Sequence, residues 1–371
     1  MPQLSATAVV RFAARAPEAH ATALERHGLT PQAARQAMKQ LARACLVGET
    51  PWADAVAAMP KRVRAALDGV TSGPTRTEIV HAHTAGDATV KLLVEMEDGA
   101  LVESVIIPSR RGENGGRVTL CVSSQVGCGR RCAFCATGTM GLRRQLGADE
   151  IVGQLRAARR YWAEHRGSMP EIGNIVFMGM GEPLDNLDAV CDAIDVMTSD
   201  LAFGMGASRI TVSTVGIADR VAAFAARSRA HLALSLHAPD DARRRALMPV
   251  HKRTDLQALK QALLAALPAG RDVLVAYILF EGFNDSPADA ELLAAWLHDV
   301  PARLNLIPAN PGPRAELRAP SDEVVLAFQR MLADRGVRAL VRWPHGRDVD
   351  GACGQLAARV MVSRLGPLEV A

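Results

Sequence analysis

The stretch Cys121-Val-Ser-Ser-Gln-Val-Gly-Cys128-Gly-Arg-Arg-Cys132-Ala-Phe-Cys135 decides the interpretation of this chain. Its last three cysteines are separated by three and then by two residues, and they follow an apolar, strand-like run over 118–122. Thiolates that lie so close in sequence can hold one iron–sulfur cluster, and three of them ligate only three of the four irons of a cubane. The spacing therefore predicts a 4Fe-4S cluster on Cys128, Cys132 and Cys135, with one iron free to bind a substrate or cofactor.

Two other roles compete for these cysteines. A zinc site usually has two close pairs of ligands, and no second pair lies downstream in the sequence. Free buried cysteines are common, but three within eight residues beside Gly127 and Gly129 are not expected by chance. The open cluster is therefore the favoured interpretation.

The composition indicates a large enzyme from a reducing compartment. A chain of 371 residues can bury a core sufficient for one large α/β domain and a smaller one. Seven cysteines, an odd number and clustered, favour a metal site over a disulfide framework. The N-terminal MPQLSATAVVRFAAR lacks the order of a signal peptide, and no run approaches the ~20 apolar residues of a membrane span. We therefore expect a cytoplasmic protein that does not bind a membrane.

Arginine outnumbers lysine and occurs in clusters, although the formal net charge is only +4. Arginine is suited to bidentate phosphate contacts and to stacking on unpaired bases. Any single cluster is more simply a solvated surface, but several clusters near the cysteine loop favour RNA as a partner. The clusters are Arg110–Arg111, Arg130–Arg131, Arg143–Arg144, Arg243–Arg245 and His251–Arg253.

The hydrophobic pattern divides the chain into four segments. Residues 1–72 are predicted to be mainly helical, and residues 73–117 alternate with a period of two, which predicts a β-meander followed by a polar linker. Residues 118–345 alternate strands with helices, and residues 346–371 form a C-terminal loop and tail. The predicted strands of the third segment are 118–122, 174–179, 208–213, 231–236, 272–280 and 303–308, and its predicted helices are 149–164, 186–199, 217–227, 254–267, 286–298 and 321–335.

The alternation of strands and helices predicts an α/β fold with parallel strands and right-handed crossovers. Both an incomplete (β/α) barrel and an open doubly wound sheet fit this pattern. In either fold the loops at the carboxyl ends of the strands carry the chemistry, and the cysteine loop follows the first strand. An apolar run over 337–341 is a candidate for a further edge strand.

The motif C-x3-C-x2-C, with Phe134 before its last cysteine, resembles that of the radical S-adenosylmethionine superfamily. The longer string LCVSSQVGCGRRCAFCATG at 120–138 resembles one branch closely, the RlmN/Cfr family of RNA adenine methyltransferases, and the match extends from about Glu78 to Gln355. The resemblance implies a partial (β/α)6 radical-SAM barrel over 118–345 with a β-meander extension. It also implies a small N-terminal helical domain over 1–72 that contacts RNA.

Residues at four predicted strand ends match the family's contacts to S-adenosylmethionine. Gly179-Met-Gly-Glu-Pro183 resembles the motif that holds the amino group of this cofactor. Each polar residue of the set has an alternative role as a helix cap, but four matching strand ends favour a cofactor site. Ala309 departs from the family, which more often has an aromatic residue there. The matching residues are Gly181, Glu182, Ser213, Ser235, Leu236, His237 and Asn310.

Two further cysteines and one glutamate carry the catalytic roles that the resemblance implies. Cys353, in Asp350-Gly-Ala-Cys-Gly-Gln355, matches the cysteine that is methylated on sulfur by one S-adenosylmethionine. Reductive cleavage of a second molecule gives a 5′-deoxyadenosyl radical, which takes hydrogen from S-methyl-Cys353, and the carbon radical then adds to adenine. Cys121 matches the residue that helps to remove the ring proton and forms a transient disulfide with Cys353, and Glu103 matches the proton acceptor. We expect a lowered pKa at Cys353, because the thiolate is the nucleophile.

Carbon 2 of adenine is electron-poor and has no acidic proton, so direct transfer of a methyl cation to it is not feasible and a radical route is needed. The base has to be unpaired to reach Cys353, which suits a loop adenosine of 23S rRNA or of tRNA. We also expect an external one-electron reductant such as flavodoxin, and a monomeric protein. Cys45 and Cys191, in helical surroundings, are expected to be structural.

Three rival functions remain open. A Cfr-like enzyme would methylate carbon 8 with the same residues, although the strings CVSSQVGC and GACGQL favour the RlmN-like activity. A radical enzyme acting on a small molecule would leave Cys121 and Cys353 without a purpose. A zinc-dependent RNA-binding protein would have no catalytic activity.

Overall fold

The computed structural model describes residues 9–109, 116–249, 255–268 and 270–357. The predicted RNA-contacting clusters Arg110–Arg111 and His251–Arg253, and the C-terminal tail from residue 358, lie outside the described residues. The strands are β1 Val10–Arg11, β2 Thr71–Ser72, β3 Thr77–Thr84, β4 Val90–Met96, β5 Leu101–Ser109, β6 Arg117–Cys121, β7 Gln125–Cys128, β8 Gly141–Gln145, β9 Ile172–Phe177, β10 Ile210–Thr214, β11 His231–Ser235, β12 Val273–Leu279, β13 Ala302–Pro308 and β14 Ala339–Val341. The α-helices are α1 Pro17–Arg26, α2 Pro31–Ala42, α3 Trp52–Ala57, α4 Lys61–Leu67, α5 Ala136–Thr139, α6 Ala148–His165, α7 Leu187–Thr198, α8 Ala218–Arg227, α9 Asp241–Leu247, α10 Leu256–Ala266, α11 Pro287–Leu297 and α12 Asp322–Ala333.

A ten-stranded mixed sheet, in the order β14-β13-β12-β11-β10-β9-β6-β5-β4-β3, forms the centre of the protein. Strands β6, β9, β10, β11, β12, β13 and β14 pair in parallel with one another along the sheet, as the alternating pattern predicts. The order is linear, which makes the barrel incomplete, and the predicted partial (β/α) barrel is confirmed. The apolar run over 337–341 supplies the additional edge strand β14.

The predicted β-meander is present as the antiparallel strands β3, β4 and β5. Strand β5 pairs antiparallel with β6, and Val105 lies opposite Cys121. The meander therefore continues the barrel sheet: β5 lies next to β6, the strand that ends at Cys121, and β4 lies beyond β5.

The N-terminal helices form a unit that β1 and β2 close by pairing in parallel. Pro17 and Pro31 stand in the first turns of α1 and α2, where the fixed φ of proline favours a helix and no amide hydrogen is needed. Phe12 is fully buried, with its ring 5.4 Å from that of His20 and 5.2 Å from that of Trp52, between centroids. Ser199, after α7, donates a 2.9 Å hydrogen bond to the Glu18 carboxylate, which joins this unit to the barrel.

The segment after β6 differs from the predicted single loop, because β7 and β8 form a two-stranded hairpin within it. Cys128 ends β7, and Cys132 and Cys135 lie in the turn before α5. Gly127 has a φ of +78°, and a Cβ atom there would lie 2.0 Å from the carbonyl oxygen of Gly141. Only glycine permits this approach of the two backbones. The pairing register also shifts between Val126 and Gly127. This bulge interrupts the alternation of side chains, so the sequence does not show the pattern of a strand here.

Candidate active site

A cavity of about 340 Å³ opens where the parallel strands end. Its lining includes Cys121 at the end of β6, Ser213 on β10, Ser235 on β11 and Asn310 after β13. Binding at the carboxyl ends of parallel strands is the general rule for α/β folds. The strand-end residues predicted from the sequence therefore come together around one space.

The three motif cysteines, Cys128, Cys132 and Cys135, also line this cavity. Burial raises the pKa of Cys128 to about 12, and burial together with the two neighbouring thiols raises that of Cys132. A metal centre reverses this effect, since a coordinating thiol loses its proton outright. Within the described residues, no three His, Cys, Asp or Glu side chains lie close enough to hold a single metal ion. Sulfur donors spread around one cavity fit a larger cluster better than a mononuclear zinc site.

Glu182 is buried at the junction of β9, β10 and the β7–β8 hairpin. Its carboxylate accepts hydrogen bonds from the backbone N–H groups of Leu184 at 3.0 Å and Val215 at 2.9 Å. Burial raises its pKa to about 7, and a cationic group in the cavity would favour the charged form again. Gly181, before it, has a φ of +105°, and a Cβ atom there would lie 2.6 Å from Cβ of Gln125.

His237 is buried beside the cavity and adopts a φ of +58°. Its Nδ1 accepts a 3.1 Å hydrogen bond from the backbone N–H of Ile278, and its ring contacts Phe134 edge to face at 5.0 Å. Burial, followed by the charge of Arg244, lowers the pKa of His237 to about 3. The imidazole is therefore neutral and held in one orientation. Leu236 is also buried but is not among the residues that line the cavity.

Cys121 and Cys353 lie far apart in sequence but line the same cavity. Burial, and then the presence of Cys353, raises the pKa of Cys121. Cys353 is exposed to the cavity, and its pKa is raised by desolvation and by the thiol of Cys135. The expected lowering of this pKa is therefore wrong for the protein without its cofactors, because burial disfavours the thiolate most, and the ionisable neighbour is another thiol and not a cation. All seven cysteines are free thiols in the structure.

The segment that contains Cys353, residues 350–357, is hydrogen-bonded to Asn310 and to residues 129–136, which contain Cys132 and Cys135. We call residues 129–136 the cluster loop. The backbone N–H of Ala136, next to Cys135, donates a 2.8 Å hydrogen bond to the carbonyl oxygen of Gly354. Asn310 donates a 3.1 Å hydrogen bond to the carbonyl oxygen of Cys353. The segment is therefore docked directly against residues predicted to hold the cluster and the cofactor. We call residues 350–357 the carrier segment.

Glu103 lies on β5 and is buried, but it is not among the residues that line the cavity. One carboxylate oxygen forms a 2.9 Å ion pair with Lys91 Nζ. The other accepts a 2.9 Å hydrogen bond from the backbone N–H of Ala357. In this conformation both oxygens have protein partners, and Glu103 contacts the carrier segment.

Several arginines assigned to RNA contacts already have carboxylate partners in the structure. Tertiary pairing of this kind is invisible in the sequence, where each arginine is only one charge in a cluster. Arg131, Arg143 and Arg245 are exposed. Arg244 is instead 1% exposed and donates to the carbonyl oxygen of Val215 behind the cavity wall. The paired arginines are Arg130 with Asp185, Arg144 with Asp98 and Glu150, and Arg243 with Asp240 and Asp289.

Cys45 and Cys191 are buried in the apolar core. Burial raises the pKa of Cys45 to about 11 and that of Cys191 to about 12, as expected for small structural side chains. Sequence reasoning missed Lys91 and Gln154, both of which contact segments of the site. A charged or amide side chain on the buried face of a strand or helix would have indicated both residues. Which face is buried, however, becomes known only from the tertiary packing.

The incomplete barrel and the thiol-lined cavity at its strand ends define a radical S-adenosylmethionine enzyme. Residues 122–293 match the family model of the Radical SAM superfamily. A probable RNA methyltransferase of Sorangium cellulosum is 53% identical over 290 residues, which cover 78% of this chain and 71% of that protein. The dual-specificity RNA methyltransferase RlmN of Marinobacter nauticus is 40% identical over 83% of this chain and 82% of its own length.

A crystal structure of a radical SAM methyltransferase from Sphaerobacter thermophilus matches with a TM-score of 0.80 and 36% identity, over 94% of this chain and 99% of that one. The chain belongs to the RlmN/Cfr family of radical S-adenosylmethionine RNA methyltransferases, and several of its relatives are named RlmN. It is a methyltransferase, and membership of this family implies a 4Fe-4S cluster, S-adenosylmethionine and an RNA substrate. Among the described residues, no helix is long and apolar enough to cross a membrane.

Proposed function

We propose that this enzyme methylates carbon 2 of an adenosine in RNA, with Cys353 as the methyl carrier and Cys121 as its catalytic partner. The observation that supports this most is that both cysteines line the cavity that also contains the three motif cysteines. A radical enzyme with a small-molecule substrate has no use for this additional pair. Two relatives are named dual-specificity RNA methyltransferases, which supports RNA as the substrate class, and 23S rRNA and tRNA are the two substrates that we propose.

Cys128, Cys132 and Cys135 would ligate the 4Fe-4S cluster, which leaves one iron open for S-adenosylmethionine. When bound, the cluster and this cofactor would supply reductive cleavage of the sulfonium and a hydrogen-abstracting radical. Two molecules of S-adenosylmethionine would be needed per turnover, one as the methyl source for Cys353 and one as the source of the radical. The electron comes from an external reductant such as flavodoxin.

Glu182 is proposed to bind the amino group of the cofactor, because among the described residues no basic side chain forms an ion pair with its buried carboxylate, and an ammonium group favours its charged form. Gly181 lets the backbone pack closely against Gln125, which accepts a hydrogen bond from the backbone N–H of Glu182 and so fixes the position of that residue. Ser213, Ser235 and Asn310 line the cavity with polar groups, and neutral His237 provides a rigid wall. Leu236 supports the strand end from behind.

After the methylene radical of Cys353 has added to the base, the adduct would lose its ring proton to Cys121 and one electron to the one-electron redox couple that started the reaction, and Cys121 would pass the proton on. Its thiolate would then attack the sulfur of Cys353. The carbon–sulfur bond would break, the released carbon would take up a proton to become the methyl group, and the disulfide left behind would be reduced by an external thiol before the next turnover. Glu103 is the proposed final proton acceptor. Each of its oxygens has one partner in this conformation and keeps a further lone pair that can take a proton. We further propose that the protein works as a monomer in the cytoplasm, where its thiols stay reduced.

The proposal is tested by identifying the product. Anaerobically purified protein should contain iron and sulfide and should convert rRNA or tRNA to 2-methyladenosine, measured by nuclease digestion and mass spectrometry. The variant Cys353→Ala should keep the iron and lose all transfer to RNA. Formation of 8-methyladenosine, or undiminished transfer by Cys353→Ala, would refute the proposal.

A further inference from the structure

Residues 342–349 run from β14, at one edge of the ten-stranded sheet, to the turn between β3 and β4 at the other edge. The backbone N–H of Gly346 and the His345 ring both contact the Asp87 carboxylate at 3.0 Å. The backbone N–H of Gly86 donates a 2.9 Å hydrogen bond to the Asp348 carboxylate. The carrier segment therefore begins next to the β3–β4 turn, where it lies close to β4.

Lys91 and Glu103 form an ion pair beneath this segment. Lys91 lies opposite Val105 on the neighbouring strand, and Val105 lies opposite Cys121. Residues directly opposite one another share a face of the sheet, as do residues two apart on one strand. Lys91, Glu103 and Cys121 therefore belong to the same face. The side chains of Lys91 and Glu103 are 16% and 4% exposed, so the pair is almost completely removed from solvent.

The pair holds the carrier segment at both ends. Lys91 Nζ, besides its 2.9 Å contact to Glu103, donates a 3.3 Å hydrogen bond to the carbonyl oxygen of Asp350. Glu103 accepts the 2.9 Å hydrogen bond from the backbone N–H of Ala357. Cys353 lies between these two attachments. A single buried ion pair thus connects the strand next to β6 with the first and last residues of the segment.

The energetics of such pairs point to a positioning role. Desolvation largely offsets the attraction within a buried ion pair, and replacing both partners by apolar groups is often neutral for stability. Hydrogen bonds to a charged group are nevertheless short, directional and stronger than neutral ones. The main consequence of this pair is therefore geometric: it determines where the ends of the carrier segment lie.

We propose that Lys91 is a positioning residue for Cys353, acting with Glu103 as a clasp that holds the carrier segment over Cys121. The functional meaning of the clasp rests on the proposed role of Cys353 as methyl carrier. Lys91 contacts no reacting atom.

The clasp is tested by hydrogen–deuterium exchange of the holoenzyme, read by mass spectrometry. Loss of a hydrogen bond from a charged donor costs about 1.5–3 kcal/mol, so Lys91→Met should speed exchange in peptides covering 350–357 by ~10-fold or more. Lys91→Arg keeps the charge and should restore most of the protection. Arg76→Met, which removes the exposed Arg76–Glu78 ion pair of the same meander, is the matched control and should change nothing at 350–357.

A second variant covers the case in which Lys91→Met leaves Glu103 buried without a partner and unfolds the protein. Lys91→Met/Glu103→Gln removes both charges, retains an acceptor for Ala357, and should fold with the same local loss of protection. Unchanged exchange at 350–357, or an increase equally large in β10 and β11, would overturn the clasp. The exchange measurement needs no RNA product, so it separates failure of the clasp from failure of carbon 2 methylation. In single-turnover reactions, Lys91→Met should also lower transfer while leaving RNA affinity unchanged.

Discussion

Gly354 offers a direct test of whether docking of the carrier segment limits methyl transfer. The residue follows Cys353 and has a φ of +82°, and a Cβ atom there would lie 3.1 Å from the carbonyl oxygen of Phe134. Its own carbonyl oxygen accepts the 2.8 Å hydrogen bond from the backbone N–H of Ala136. Gly354→Ala therefore strains the backbone and pushes the segment away from the cluster loop.

The expected size follows from these two effects. A left-handed conformation costs a non-glycine residue about 1–2 kcal/mol, and weakening the hydrogen bond to Ala136 costs about 1 kcal/mol more. Together they disfavour the docked segment by about 2–3 kcal/mol, which corresponds to roughly 30- to 150-fold in population. We expect Gly354→Ala to slow transfer from Cys353 to RNA by up to this factor while the iron content stays unchanged.

The assay is single-turnover methyl transfer to RNA by anaerobically purified protein, with iron analysis in parallel. Gly336→Ala is the matched control, because Gly336 has a similar φ of +76° but has nothing within 4 Å of the added Cβ and stands after α12. It imposes the backbone strain far from the site and should leave transfer intact. If Gly354→Ala transferred the methyl group at the wild-type rate, the docked position would not be the reactive one. If Gly336→Ala lost as much of the rate, the loss would come from general destabilisation of the fold.

Three other predictions test the site and its support. Cys121→Ala should accumulate protein covalently attached to RNA through Cys353, visible on a denaturing gel, and normal turnover would contradict its role. Gln154→Leu removes three buried hydrogen bonds, to the Ser123 N–H at 2.8 Å, the Ser123 carbonyl at 2.9 Å and the Ser104 hydroxyl at 2.9 Å. Each buried group left unpaired costs about 1–3 kcal/mol, so the free energy of unfolding in urea should decrease by more than ~1 kcal/mol. A smaller decrease would refute the importance of this network. Burial lowers the pKa of His20 from 6.5 to about 4, so only the unfolded chain gains this proton as the pH falls from 6.5 towards 4, and stability should decrease by up to about 3 kcal/mol. Thermal unfolding of His20→Leu should lack that part of the acid sensitivity, and an unchanged pH profile would exclude His20 as its source.

The regular elements of the barrel were predictable because each is encoded by its own residues. Predicted strand 231–236 is observed as His231–Ser235, and predicted helix 149–164 as Ala148–His165. A parallel strand buried on both faces has a continuous apolar run, and a helix on the sheet has an apolar stripe. Helix α9 was not predicted, because its basic composition suggested a loop. Its start is capped by Asp240, whose side chain accepts a 2.9 Å hydrogen bond from the backbone N–H of Arg243.

Charge was the least reliable guide to the site. Arg244 belongs to a cluster predicted to contact RNA, yet it is buried behind the cavity wall. Glu103 lies on an alternating strand, where a solvent-facing side chain is usual, yet it is buried against Lys91. Whether a charge meets solvent, RNA or a counter-charge depends on neighbours that are distant in the chain.

By itself, the amino-acid sequence determined the chemistry available to this protein. The spacing of Cys128, Cys132 and Cys135, and the order of strands and helices, are local properties that need no partner elsewhere in the chain. Only the tertiary structure decided that Cys353 shares a cavity with Cys121 and that Lys91 and Glu103 hold the segment between them. Those contacts depend on the strand order and register of one ten-stranded sheet, which arise from the packing of the whole core and are not written in any single segment.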